Sequence, residues 1–214
     1  MNSLPVLAGL GLLLSGALAG ADDFTPVSGV VPAELHFDTP VGFYDQWRGK
    51  IECPINALRT AVRINVLRPT PPNWHPNFAV ALMSGRLQVM IQVRSSSEGQ
   101  PPLRAILRKT ETQAKNPELL VGKGEEQDFR EAFALGERVP IAIDWTADGH
   151  IAVQIGGEML SYDLGVSVEE LRFTAAHSEG TFDPILVGFT GSEKTARAEC
   201  RVVAALDVAK IVGT

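Results

Sequence analysis

Between Arg86 and Arg94 the chain alternates without a break, with Leu87, Val89, Ile91 and Val93 on one side and Arg86, Gln88, Met90, Gln92 and Arg94 on the other. A two-residue repeat puts successive side chains on opposite faces of an extended strand, and a helix of 3.6 residues per turn would scatter them. One face is therefore apolar and the other polar. A strand of this kind must hide its apolar side under a second layer, which narrows the fold to sheets packed on sheets or on helices.

The same pattern returns along the chain. Leu103, Ala105 and Leu107 stand opposite Arg104, Ile106 and Arg108, and Val62, Ile64 and Val66 share a face. Phe78 to Met83 is a short apolar run. Val139, Ile141, Ile143 and Trp145 alternate up to Asp148-Gly149, after which Ile151, Val153 and Ile155 alternate back. The Asp-Gly pair supplies the positive φ that a tight hairpin turn needs. Gly156-Gly157 leads into a further strand over Met159 to Leu164, Phe182 to Phe189 and Ala198 to Ala205 add late strands, and Leu206 to Val212 extends the last. Helix is scarce: the capping-box spacing of Ser167-Val168-Glu169-Glu170 predicts one helical turn. Two loops stand out. Arg68 to Pro76 carries four prolines ahead of and around Trp74-His75, and Gln113 to Glu131 reads as long and polar. Many short strands with turn signals between them predict an all-β, two-sheet antiparallel sandwich.

With 214 residues, one domain is expected over 22–214. A net charge of −6 weighs against a nucleic-acid binder, which carries a basic surface. The first 21 residues hold no charged side chain, and the apolar run Leu4 to Leu14 is followed by small residues at Ala17, Ala19 and Ala21. This is the layout of a cleaved signal peptide over 1–21, and no later stretch is long enough to span a membrane. A periplasmic or secreted protein is expected, and in that setting Cys53 and Cys200 are most simply a disulfide.

The stretch Leu135-Gly136-Glu137-Arg138-Val139-Pro140-Ile141-Ala142-Ile143-Asp144-Trp145, with the Asp148-Gly149 turn and Ile151 to Gly157, resembles the concanavalin A-like lectin and glucanase superfamily, which includes laminin-G-type domains and several polysaccharide lyases. The resemblance implies a jelly roll of two antiparallel sheets over most of residues 30–212. It implies little about activity, since that fold hosts lectins, lyases, hydrolases and inert modules alike.

Three sets of residues are candidates for chemistry. Glu126, Asp128 and Glu131 fit the E-x-D-x-x-E spacing of the superfamily's retaining glucanases, whose paired carboxylates act across the glycosidic bond. Here they sit beside Glu125 in a charge-rich stretch, which predicts a solvated loop and no catalytic residues. Arg86, Gln88, Gln92, Arg94, Arg104 and Arg108 fall on the non-core sides of two consecutive strands. Paired, those strands would present guanidinium and amide groups, suited to the carboxylates, sulfates and hydroxyls of a polysaccharide. Trp74 and His75 are candidates for a stacking platform under a sugar ring. The four histidines stand far apart, and there is no phosphate loop or nucleophile elbow, so neither a metal nor a cofactor is expected. The leading expectation is an exported, non-catalytic carbohydrate-binding domain, with an anionic polysaccharide as the favoured partner. A secreted lyase or glycoside hydrolase and a structural or protein-interaction module are the alternatives. A lyase would need a tyrosine or a histidine reaching into the arginine face, and the chain's only tyrosines are Tyr44 and Tyr162.

Overall fold

The computed structural model describes residues 24–70, 74–95, 100–112, 120–190 and 202–210. Residues 1–21 lie outside the described residues, and so does Cys200. Cys53 is half-buried against the core.

Among the described residues, fourteen strands form two sheets. They are β1 (Phe24–Val27), β2 (Leu35–Asp38), β3 (Phe43–Ile51), β4 (Ala57–Leu67), β5 (Asn77–Ser84), β6 (Leu87–Arg94), β7 (Leu103–Thr112), β8 (Leu120–Phe133), β9 (Arg138–Trp145), β10 (His150–Ile155), β11 (Glu158–Asp163), β12 (Glu170–Ala176), β13 (Ser178–Thr190) and β14 (Val202–Lys210). One sheet runs β1-β13-β4-β9-β10-β11, with β2 also paired to β13. The other runs β14-β3-β12-β5-β6-β7-β8, and we call it the site sheet. Every pairing is antiparallel. The protein is a two-sheet antiparallel sandwich, as the alternation and turn signals predict, with the jelly-roll form that the resemblance implies.

The core lies between the sheets. The site sheet contributes Phe78, Val80, Leu82, Val89, Ile91, Val93, Leu103, Leu107, Phe129 and Phe173; the facing sheet contributes Leu58, Val62, Ile64, Ile141, Ile143, Ile151, Val153, Phe182, Val187 and Phe189. At one point four phenylalanines lock the layers together. The Phe182 ring meets Phe173 at 5.0 Å, Phe78 at 5.3 Å and Phe37 at 6.2 Å between centroids. The sheets also meet at one corner, where Gln127 Nε2 donates to the Ser161 carbonyl at 3.4 Å and the Lys109 ammonium to that of Asp163. The hairpin turn behaves as its sequence asks: Gly149 sits at φ +86°, and a Cβ there would lie 2.1 Å from the Val166 carbonyl oxygen.

Three expectations need correction. Of the expected loop Gln113 to Glu131, residues 113–119 lie outside the described residues, and 120–131 are not loop but part of strand β8, paired along β7 from Leu103↔Phe133 to Thr112↔Leu120. Ladder hydrogen bonds to β7 outweigh the polar composition, and Phe129 and Phe133 are buried. The stretch Ser167–Glu170 forms no helical turn. Its backbone is drawn into the site sheet, the Glu169 N–H donating to the Met83 carbonyl and the Glu169 carbonyl accepting from Ile51 N–H. Val66 does not share the core face of Val62 and Ile64. The pairing steps from Glu179↔Val66 to Gly180↔Ile64, so a bulge at Asn65 reverses the alternation and leaves Val66 39% exposed.

Candidate functional site

The outer face of the site sheet is set by its register. Across β5, β6, β7 and β8 one row reads Asn77, Arg94, Arg104 and Ala132, the next Ala79, Gln92, Ile106 and Asp128, and the next Ala81, Met90, Arg108 and Glu126. The alternation thus does bring the arginines and glutamines of β6 and β7 to one face. They are not equivalent there. Gln88 is buried, its amide donating to Thr110 Oγ1 at 2.8 Å, and Arg86 lies at the far strand end, held by Glu111 at 3.0 Å and the Thr112 carbonyl at 3.1 Å. Towards the sheet's middle, Ala79, Ala81, Met83, Gln46 and Arg172 are all buried although they point away from the core, so this part of the face is closed.

The face opens at its other end. His75, Arg94, Ser95, Pro102, Arg104, Ile106 and Asp128 line a depression of about 280 Å³, close to the lower bound for small-molecule sites. Three residues singled out from the sequence meet here: His75, Arg94 and Arg104. His75 is placed by the contact of its Nδ1 with the Ser95 carbonyl at 3.2 Å, and its own carbonyl accepts from Asn77 Nδ2 at 2.7 Å. Ile106 and Pro102 give the depression an apolar lining. Gln92 stands in the adjoining row. Trp74 does not enter; it stacks on the His177 ring at 5.2 Å.

The carboxylates of β8 were the missed half of the site. Glu126 bridges two arginines, with Oε1 3.3 Å from Arg108 Nε and Oε2 3.8 Å from Arg94 Nη2. Beside this pair β8 carries Gly124, where a Cβ would stand 2.2 Å from Thr110 Cγ2 and 2.3 Å from the Lys109 carbonyl oxygen, so β7 and β8 approach too closely here for any other residue. Asp128 lines the depression beside Arg94 and Arg104. Among the described residues neither Arg104 nor Asp128 has an ion-pair partner. The third carboxylate of the E-x-D-x-x-E spacing turns away. Between Ile106↔Asp128 and Arg104↔Ala132, β8 gains two residues on β7, and Glu131 reaches Gly156 in the β10–β11 turn. The triad is therefore split. Tyr44 is three strands from Arg94 in its row, about 14 Å at ordinary strand spacing.

His177, which links β12 to β13, was unmarked in sequence. It takes φ 52°, is 2% exposed, and its Nδ1 accepts from the Gly42 N–H at 3.0 Å. Burial pushes its pKa below the usual histidine value, opposed by a backbone hydrogen bond to Pro40. A proton taken up on unfolding but not in the fold makes stability fall with pH. Stability is full above about pH 6.5 and is lost as pH drops from there to the folded-state pKa. We expect His177→Asn, which tolerates positive φ, to flatten the decline in Tm between pH 7 and pH 5. An unchanged slope would show that other groups set it.

No protein-family model matches the chain, and no curated protein sequence matches it. Among solved structures it is similar to carbohydrate binding module CBM66 from Bacillus subtilis, at 10% identity over 78% of this chain and 95% of that one, TM-score 0.44. It is also similar to a heptameric SAP-like pentraxin from Limulus polyphemus, at 10% identity over 85% and 93%, TM-score 0.42. A homodimeric agglutinin from chicken liver aligns at 16% identity over 72% and 99%, TM-score 0.36. What the face can bind follows from its own side chains.

Proposed function

We propose that the depression on the site sheet binds a carbohydrate without cleaving it. The observation that carries this reading is the meeting of Arg104 and Asp128, a donor fork and an acceptor without ion-pair partners among the described residues, beside the apolar Ile106 and Pro102. Neighbouring hydroxyls of a sugar ring both donate and accept, so a cation and an anion side by side suit them better than either alone. The ring's C–H surface would rest on the apolar lining. Arg104 is also where a uronate or sulfate would pair, which is the support for an acidic polysaccharide. The split of the three carboxylates counts against hydrolysis and the distance of Tyr44 against elimination by that tyrosine; His75 stands in the depression, so the assay for unsaturated uronates is what separates binding from elimination.

Affinity electrophoresis through gels containing neutral or acidic polysaccharides tests this. Retardation is expected with no ultraviolet-absorbing unsaturated uronate and no new reducing ends. Arg104→Ala should weaken retardation about tenfold or more in a folded protein, from loss of a charge-assisted contact. Equal retardation of wild type and variant would remove the site, and product formation would replace binding by catalysis. We place this binder in the periplasm or outside the cell, on the strength of the apolar opening run and the two cysteines. A mature N-terminus near Asp22 and no titratable thiol before reduction are the expected signs; an uncut chain with two free thiols would reject them.

A further inference from the structure

The depression's charge preference need not follow its arginine count. Of its two arginines, Arg94 is shared with a pair just outside the lining: Arg94 and the adjoining Arg108 are largely covered, with side chains 24% and 18% exposed, and both face the carboxylate of Glu126, itself 37% exposed. An ion of fixed position in that place already holds the geometry that a ligand carboxylate or sulfate would need. We propose that Glu126 is a charge-selectivity residue: a built-in counter-ion that occupies the Arg94–Arg108 pair and so suppresses binding of acidic chains relative to neutral chains of the same backbone. The inference rests on the carbohydrate-site reading for its biological sense, while the electrostatic part stands on the Glu126 contacts alone.

The arrangement has a physical cost that makes it informative. Arg108 Nε is buried and, although 3.3 Å from Glu126, makes no well-aligned hydrogen bond. A partly buried guanidinium held by charge but not fully satisfied by hydrogen bonds is open to a better acceptor. Removing the Glu126 charge while keeping its shape should turn the pair into an anion site.

The test compares Glu126→Gln with Glu111→Gln in the full chain. Glu111 pairs with Arg86 on the same sheet but outside the depression, so the second variant loses the same charge elsewhere. Two readouts are used. The first is the ratio of affinities for polygalacturonate and its methyl ester, which differ in charge but share a backbone. We expect Glu126→Gln to raise that ratio about tenfold, the gain fading at high salt as exposed charges are screened, and Glu111→Gln to leave it near the wild-type value. The second readout needs no particular sugar: the salt at which each protein elutes from heparin, where Glu126→Gln should elute later than Glu111→Gln. Equal ratios and equal elution in the two variants would overturn the role of Glu126 even if wild type binds sugar. A later heparin elution in Glu126→Gln, with no protein retarded by either galacturonan, would uphold the counter-ion and count against the carbohydrate reading for this sugar class.

Discussion

Phe182→Ala should lower the melting temperature by roughly 6–20 °C. Phe182 is fully buried on β13 and touches phenylalanines from β2, β5 and β12, so its ring is shared by both sheets. Truncation removes the transfer free energy of the ring and leaves a cavity walled by three other rings that cannot all collapse inward. Phe→Ala changes of this kind cost about 3–5 kcal/mol. A domain of this size loses about 2–4 °C per kcal/mol. Phe182→Leu, which keeps most of the volume, should cost clearly less. Near-ultraviolet circular dichroism during heating reads both. A drop under about 4 °C for the alanine variant would mean that the four-ring cluster does not hold the sheets together.

Gly180→Ala should be nearly as damaging, for the opposite reason. A Cβ at Gly180 would stand 2.2 Å from the Arg63 carbonyl oxygen, 2.9 Å from Phe78 Cζ and 3.0 Å from Ile64 Cα. Two of those atoms are backbone of β4, so no rotamer change relieves the clash, and the strand pairing itself has to open. The expected cost is about 3 kcal/mol, the upper part of the range for overpacking. Gly157→Ala is the matched control, because a Cβ there meets nothing within 4 Å; it should stay within about 1 kcal/mol of wild type. Urea unfolding of the two variants decides the matter. If Gly180→Ala unfolds within 1 kcal/mol of Gly157→Ala, β13 and β4 are less tightly apposed than the 2.2 Å approach requires.

Period-2 alternation made β6, β7, β9 and β10 plain in the sequence, because each buries a regular row such as Val89, Ile91 and Val93. It also placed Arg94 and Arg104 on one face before any register was known. It failed where the ladder is irregular or the apolar row is thin. On β8 the buried Phe129 and Phe133 are four apart with a bulge between them, and the intervening charges look like a loop. Asp128, which lines the depression, and Glu126 beside it went unread as site for that reason. On β3 Trp47 is the one large side chain fully buried, with Gly49 as its inward neighbour, too little to announce a strand. On β12 the alternation of Leu171, Phe173 and Ala175 was present but was masked by the capping-box spacing just ahead of it. The direction of Trp74 was not legible at all, since its partner His177 is more than a hundred positions away.

The strands of the site sheet that carry the depression are consecutive: β5, β6, β7 and β8 follow one another in sequence and in space. Every residue of the depression falls between His75 and Asp128. The rest of the sandwich, including all of the facing sheet, comes from the flanking parts of the chain. The proposed recognition is thus written in one uninterrupted stretch, and stability is shared with sequence on either side of it. Substitutions confined to the outward-facing positions of this one stretch would change what the face presents, while its inward-facing residues, Val89, Ile91 and Val93 among them, keep the sandwich closed.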